Sequence, residues 1–279
     1  MSVAGGLWRA CRPAAELGCD CIQIFVKNQR QWSAPRLKEP DVVEFRRTAA
    51  ECRLDPVIAH AGYLINVASP DPATLSRSRR ALIDEFERCE QLGLQGLVLH
   101  PGAHMGQGTP DGLKRACRTL TAILRQTRGY STRLLLETTA GQGSCLGSTL
   151  SEIGHLLNEL ADERRVGVCL DTCHLFAAGY NLRTERGYDR LRAELAQHVG
   201  QGAVGCIHVN DSAKPCGSRV DRHAHVGRGR IGLAGLARLV RDPSFARVPK
   251  ILETPKGLTP RGRTWDEVNL GKLRGIFED

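Results

Sequence analysis

Short apolar runs recur along this chain, and six of them break off on or beside a residue that can bind a metal ion: Val57-Ile58-Ala59-His60, Leu97-Val98-Leu99-His100, Leu134-Leu135-Leu136-Glu137, Val166-Gly167-Val168-Cys169-Leu170-Asp171, Val204-Gly205-Cys206-Ile207-His208 and Ile251-Leu252-Glu253. A seventh, Cys21-Ile22-Gln23-Ile24-Phe25-Val26, leads into Lys27-Asn28-Gln29-Arg30-Gln31-Trp32. Continuous runs this short and this rich in Val, Ile and Leu are what strands buried on both faces of a parallel sheet require. Charged residues at their ends then collect at one rim, which is how a (β/α)8 barrel assembles an active site.

Between the runs lie stretches with apolar residues at helical spacing, at 76–92, 113–127, 150–161, 190–199 and 233–240, with an earlier one near 7–17. Strand then helix, repeated, is the rhythm of βαβ units. The expected fold is therefore α/β, a TIM (β/α)8 barrel in a single domain, and 279 residues suit one such barrel. Seven strands are counted rather than eight, so the first barrel strand would lie upstream of Met1-Ser2-Val3-Ala4-Gly5-Gly6. The Pro-, Arg- and Lys-rich stretch 33–40 reads as a loop, and Trp32 as core filling.

Eleven cysteines, an odd number scattered through strand and helix patterns, argue for free thiols in a reducing compartment. No basic segment followed by an apolar stretch opens the chain, and no window approaches the roughly 20 apolar residues of a membrane span. A cytoplasmic protein without membrane contact is expected. A formal net charge of +9 favours an anionic partner, nucleic acid being the commonest, although an ordinary basic surface explains the charge equally well.

His60, His100, Glu137, Asp171, His174, His208, Asp221, His223 and Glu253 all fall at or just past strand ends. A barrel needs none of them for packing, and several carboxylates buried together are costly without cations. Nitrogen and oxygen donors without thiolate suit zinc, with manganese as the alternative. Cys169, Cys173 and Cys206 interleave with these positions and are expected to face the core. Asp171-Thr172-Cys173-His174, leaving a strand, and Asp221-Arg222-His223, in a loop, each place two donors close together.

Four longer segments carry a resemblance. His60-Ala61-Gly62-Tyr63-Leu64-Ile65-Asn66, Glu137-Thr138-Thr139-Ala140-Gly141-Gln142-Gly143, Val168-Cys169-Leu170-Asp171-Thr172-Cys173-His174, and His208-Val209-Asn210-Asp211 through Gly217-Ser218-Arg219-Val220-Asp221-Arg222-His223 resemble the endonuclease IV family of apurinic/apyrimidinic endonucleases, over 2–273. The resemblance implies a barrel whose rim holds a trinuclear zinc cluster and which cuts double-stranded DNA on the 5′ side of an abasic site, leaving a 3′-hydroxyl and a 5′-deoxyribose phosphate. It assigns His60, His100 and Glu137 to one ion, Glu137 as a bridge with Asp171, His208 and Glu253 to the second, and His174, Asp221 and His223 to the third. Four carboxylates against three divalent ions leave a positive site suited to a phosphodiester. Water activated between the two ions that share Glu137 is the expected nucleophile, which makes Glu137 the catalytic residue.

The same resemblance places Arg30, Tyr63 and Leu64 in the duplex at the lesion. A missing base makes unstacking cheaper there, and an apolar or aromatic wedge can fill the gap; ordinary rim packing is the other reading of Tyr63 and Leu64. Arg219 and Arg222 flank the third ion's ligands, where a phosphate contact and a structural ion pair suit them equally. Thr138 departs from the family, where asparagine is common, as do Ala213 and Arg228. The implied partner is duplex DNA carrying abasic sites or blocked 3′ ends, bound by a monomer. A metal-dependent sugar isomerase or epimerase on a related barrel, or a noncatalytic DNA-binding member, are the rival readings.

Overall fold

The structure is a computed structural model describing residues 3–160 and 164–278. It divides into two compact units, Met1–Leu136 with Leu156–Gly167, and Glu137–His155 with Val168–Asp279. In chain order the strands are β1 (Ile22–Ile24), β2 (Val57–His60), β3 (Gly96–Leu99), β4 (Arg133–Glu137), β5 (Val166–Asp171), β6 (Val204–His208), β7 (Asp211–Ser212), β8 (His223–Ala224) and β9 (Lys250–Ile251). The helices are α1 (Cys11–Glu16), α2 (Glu39–Glu51), α3 (Pro72–Leu92), α4 (Thr109–Gln126), α5 (Leu150–Leu160), α6 (Thr172–Ala178), α7 (Glu185–His198), α8 (Gly232–Val240) and α9 (Trp265–Glu278).

In the first unit β1 pairs parallel with β2, β2 with β3 and β3 with β4, the registers running Ile24 to Ala59, His60 to Val98 and Leu99 to Leu136. Every residue of β2 and β3 is buried, as both-faced burial demands. In the second unit the end of β5 pairs with β6 after a bulge at Val168/Cys169, and β6 pairs with β9. Asp171 therefore stands opposite His208, and His208 opposite Ile251, two residues before Glu253. Strand pairing alone sets these rim residues side by side.

Helix starts lie earlier than hydrophobic periodicity indicates: α3 begins at Pro72 rather than 76, α4 at Thr109 rather than 113, and α7 at Glu185 rather than 190. The residues that open these helices, Pro72-Ala73, Pro110-Asp111 and Glu185-Arg186, are exposed, so only the buried stripe further along registers in the pattern. In α3 the Asp71 carboxylate caps the helix, accepting from Thr74 N–H at 2.7 Å, Pro72 opens it, and Gly93 closes it in the left-handed region at φ 73°. Asp71→Ala is expected to lower the melting temperature through loss of the cap; thermal melts indistinguishable from wild type would refute the capping role.

Helices α2, α6 and α9 were not legible from apolar spacing, and the proposed end of α5 at Ala161 lies outside the described residues. Trp32 is corrected: it is half-buried, with the Arg77 guanidinium 5.3 Å above its ring, rather than core filling. The loop assigned to Asp221–His223 likewise contains structure, since His223–Ala224 pairs antiparallel with Asp211–Ser212. Among the described residues no helix is long and apolar enough to cross a membrane.

Candidate metal centre

Asp171, the last residue of β5, is also the N-cap of α6, its Oδ1 accepting from His174 N–H at 2.7 Å. One side chain thus ends a strand, starts a helix and delivers His174 into the same space. The His174 ring reaches Glu137 Oε1 at 3.4 Å through Nδ1 and Asp221 Oδ2 at 3.2 Å through Nε2. His208 Nδ1 lies 3.0 Å from Glu137 Oε1, 3.2 Å from Glu253 Oε2 and 3.8 Å from Asp171 Oδ2. His223 Nε2 lies 3.3 Å from Asp221 Oδ1 and 3.6 Å from Asp171 Oδ2.

These contacts shut the inner carboxylates and imidazoles off from water while Asp221 stays partly exposed. Glu137, Asp171 and His208 are all at 0 % exposure. Burial opposes protonation of His174, but Asp171, Asp221 and Glu137 override it and hold its pKa well above the usual histidine value. Burial acts the same way on His208, and Glu253 and Glu137 likewise raise its pKa well above that value. The pocket is an excess of negative charge seeking cations.

His223 shows the shortfall most plainly. Its Nδ1 is 3.0 Å from the Glu253 carbonyl oxygen, to which it can only donate, so in the neutral ring Nε2 carries the lone pair. That Nε2 is buried with no hydrogen-bond partner, and the atoms nearest it are acceptors. Acceptors converging on a buried acceptor are repulsive unless a cation sits among them. Two groups offer ligand atoms all within 4.8 Å of one another: Glu137, Asp171, His208 and Glu253, and Asp171, His174 and His223. The donor set fits a divalent ion by both geometry and chemistry.

Behind these side chains stands a layer that motif reading did not assign. Asn210, at 0 % exposure, donates from Nδ2 to Asp171 Oδ2 at 2.6 Å and accepts Glu253 N–H on Oδ1 at 2.8 Å, holding two candidate ligands at once. Thr138 Oγ1 accepts Asp171 N–H at 3.0 Å, and the Thr138 carbonyl lies 2.8 Å from His174 Nδ1. Thr172 Oγ1 donates to the Asn210 carbonyl at 2.6 Å. The only available signal was adjacency to acidic residues in the sequence. Cys169, Cys173 and Cys206 are buried as expected, yet Cys173 lies close enough to Asp221 and His223, and Cys169 with Cys206 to His208, to form donor groups of their own.

In the first unit the His60 and His100 rings meet edge to face, with centroids 5.4 Å apart, and His60 packs against Phe25 and Tyr63. Tyr63 is 61 % exposed and Leu64 36 %, with the Tyr63 ring 5.6 Å from Phe25 and 6.0 Å from His60 on its inner side. Arg30 is exposed on the neighbouring turn. In the second unit Arg219 and Arg222 are exposed, and among the described residues neither forms an ion pair, so the structural-pair alternative is not realised.

Residues 11–269 match the family described as the xylose isomerase-like TIM barrel. A "Probable endonuclease 4" of Nitratidesulfovibrio vulgaris is 45 % identical over 276 residues, covering 99 % of this chain and 96 % of the relative. The crystal structure of endonuclease IV from Thermus thermophilus superposes with a TM-score of 0.87 at 35 % identity, covering 100 % of this chain and 97 % of that one. The chain belongs to the endonuclease IV family. Its fold is accordingly a TIM barrel, as the apolar runs indicate. A D-tagatose 3-epimerase-like protein also superposes, with a TM-score of 0.74 over 99 % of this chain and 95 % of its own, but at 18 % identity, which speaks to the fold alone. The seven side chains gathered in the second unit are its candidate metal ligands, and the two facing histidines are those of the first unit.

Proposed function

We propose that the chain is a DNA-repair apurinic/apyrimidinic endonuclease that hydrolyses the phosphodiester 5′ of an abasic site, releasing a 3′-hydroxyl and leaving a 5′-deoxyribose phosphate. The observation that carries this reading is the His223 Nε2 atom, buried without a hydrogen bond and facing Asp171 and Asp221 in a cluster whose excess of acceptors divalent cations would satisfy. Zinc is the ion the donors suit, with manganese second. His60, His100 and Glu137 would hold one ion, Glu137, Asp171, His208 and Glu253 a second, and His174, Asp221 and His223 a third. Bound there, divalent ions supply Lewis-acid activation of water and of the phosphodiester.

The chain's own residues do the arranging. Glu137 Oε1 faces both His174 and His208, so one carboxylate lies against candidate ligands of the second and third ions besides its assignment with His60 and His100 to the first. The Asp171 carboxylate cannot rotate away, because Oδ1 is committed to the α6 cap and Oδ2 to Asn210. Such outer contacts orient ligands and sustain metal affinity. Exposed Arg219 and Arg222 would neutralise DNA phosphates, and Arg30, Tyr63 and Leu64 would enter the duplex where the base is missing. The net charge of +9 supports association with DNA. Substrates would include abasic duplexes and blocked 3′ ends, handled by a monomer in the cytoplasm.

The test is incision of an end-labelled duplex bearing one abasic analogue. Cleavage on the 5′ side, abolished by prolonged chelation and restored by zinc, is expected. Cleavage unaffected by exhaustive metal removal would overturn the metal assignment, and zinc-loaded protein inert on the abasic duplex would overturn the nuclease reading.

A further inference from the structure

Tyr63 is well exposed although its ring lies against Phe25 and His60, and Leu64 beside it is about a third exposed. A solvated apolar tip on a loop ordinarily gains by folding back onto the protein. This tip is instead held from beneath. Tyr63 N–H donates to the Gln29 carbonyl at 3.0 Å, and Gly62 N–H donates to both carboxylate oxygens of Glu85 at 3.2 Å.

Glu85, on the inner face of α3, is 1 % exposed and pairs with Lys27 Nζ at 3.3 Å. Lys27, itself buried, also reaches Asp84 at 3.1 Å and donates to the Trp32 carbonyl at 3.2 Å and the Ala81 carbonyl at 3.3 Å. Its two chain contacts, at 27 and 32, straddle the turn that carries Arg30, whose N–H is fixed by Asn28 Oδ1 at 2.9 Å. Arg88, one turn further along α3, pairs with Asp84 at 3.1 Å and donates to the Ala34 and Pro35 carbonyls at 3.0 and 2.7 Å. There is no slack at the junction, since a Cβ on Gly62 would meet Glu85 Oε1 at 3.2 Å and the Gln29 carbonyl at 3.3 Å.

A buried ion pair of this kind is rarely retained for stability, because an apolar pair of similar volume does as well or better. It does impose a single geometry on whatever it holds, and here it holds the two loops that carry Arg30 and Tyr63–Leu64. We propose that Glu85, paired with Lys27, is a positioning residue for lesion recognition: it locks the Arg30 turn and the Tyr63–Leu64 tip into one rigid frame before DNA arrives. The inference rests on the reading of Arg30, Tyr63 and Leu64 as DNA contacts. Fixing the tip in advance removes an ordering cost from binding at the abasic site, where the wedge is used, and leaves contacts with undamaged phosphates alone.

The experiment uses zinc-loaded full-length enzyme and separates KM from kcat on an abasic duplex, with undamaged duplex as competitor. Glu85→Ala is expected to raise KM roughly tenfold, the scale of one charge-assisted hydrogen bond, while kcat and the competitor's inhibition constant stay within about twofold. Glu85→Gln, which keeps an acceptor for Gly62, should fall between. Tyr63→Ala should raise KM, and the double variant Tyr63→Ala/Glu85→Ala should be no worse than the poorer single, because both disable one device. Additive losses, a fall in kcat at constant KM, or equal weakening toward undamaged DNA would overturn the proposal. Unchanged KM in Tyr63→Ala would show that the DNA-contact reading itself has failed, whereas a raised KM there with wild-type behaviour in Glu85→Gln would overturn the brace alone. Should Glu85→Ala not fold, Glu85→Gln and Lys27→Met decide between the same outcomes.

Discussion

Glu137→Ala is expected to lower turnover on an abasic duplex by at least on the order of 10³-fold while much of the affinity for DNA persists. The side chain is wholly buried, and its Oε1 lies within 3.4 Å of both His174 Nδ1 and His208 Nδ1. Truncation therefore removes a carboxylate that both imidazoles face and leaves the two rings sharing only the longer 3.8 Å approaches to Asp171. In the proposed function DNA grip falls to the exposed arginines and the Tyr63–Leu64 tip, so binding and turnover should separate. Single-turnover cleavage beside a binding titration measures both. A variant that incises at near wild-type rate would remove Glu137 from the centre of the site, and one that loses DNA binding in parallel would reveal a folding defect instead.

Asp211→Ala should be the most destabilising single change outside the apolar core, at roughly 3–5 kcal/mol. The Asp211 carboxylate is buried at 0 % exposure, and its Oδ1 accepts from Ser212, Ile231 and Gly232 N–H at 2.8, 2.9 and 3.3 Å, while Oδ2 accepts from Gly229 N–H at 2.9 Å. It is the clasp of the loop that carries Asp221 and His223, and β7 and β8 pair just inside it. Truncation would strand four backbone donors, two of them buried and two partly buried, and release both ligands together. The fit is tight enough that a Cβ on Gly229 would collide with Asp211 Oδ1. Denaturant unfolding and zinc retention against a chelator should fall together in Asp211→Ala, and retention of wild-type stability would contradict the clasp. Losses of this size take a large part of the roughly 5–15 kcal/mol by which domains are stable.

Much of this architecture is legible because of one physical constraint. A strand buried on both faces admits almost nothing but apolar residues, so the first polar residue after such a run marks the rim. That argument locates His60, His100, Glu137, Asp171, His208 and Glu253, and the strands observed end at or within two residues of each. Helices are read less well, because only their buried stripe is patterned. α6 was missed for a different reason: at seven residues it is too short to show a period, and its start is defined by a cap, Asp171, that also reads as a ligand.

Which residue types stand at the rim can be read from the end of each apolar run, and their number and acidity point away from a structural role, because burying unpaired carboxylates costs more than a fold gains from them. Which of them meet follows from the packing of the elements. Asp221 and His223 arrive from a loop whose course depends on Asp211 and on backbone groups 18 to 21 residues away from it, and no spacing rule carries information over that distance. The supporting contacts of Asn210 and Thr138 and the Lys27–Glu85 pair beneath the exposed tip were equally invisible. Hydrogen bonds and ion pairs between residues far apart in the chain are set by the packing of whole elements, which local pattern does not encode.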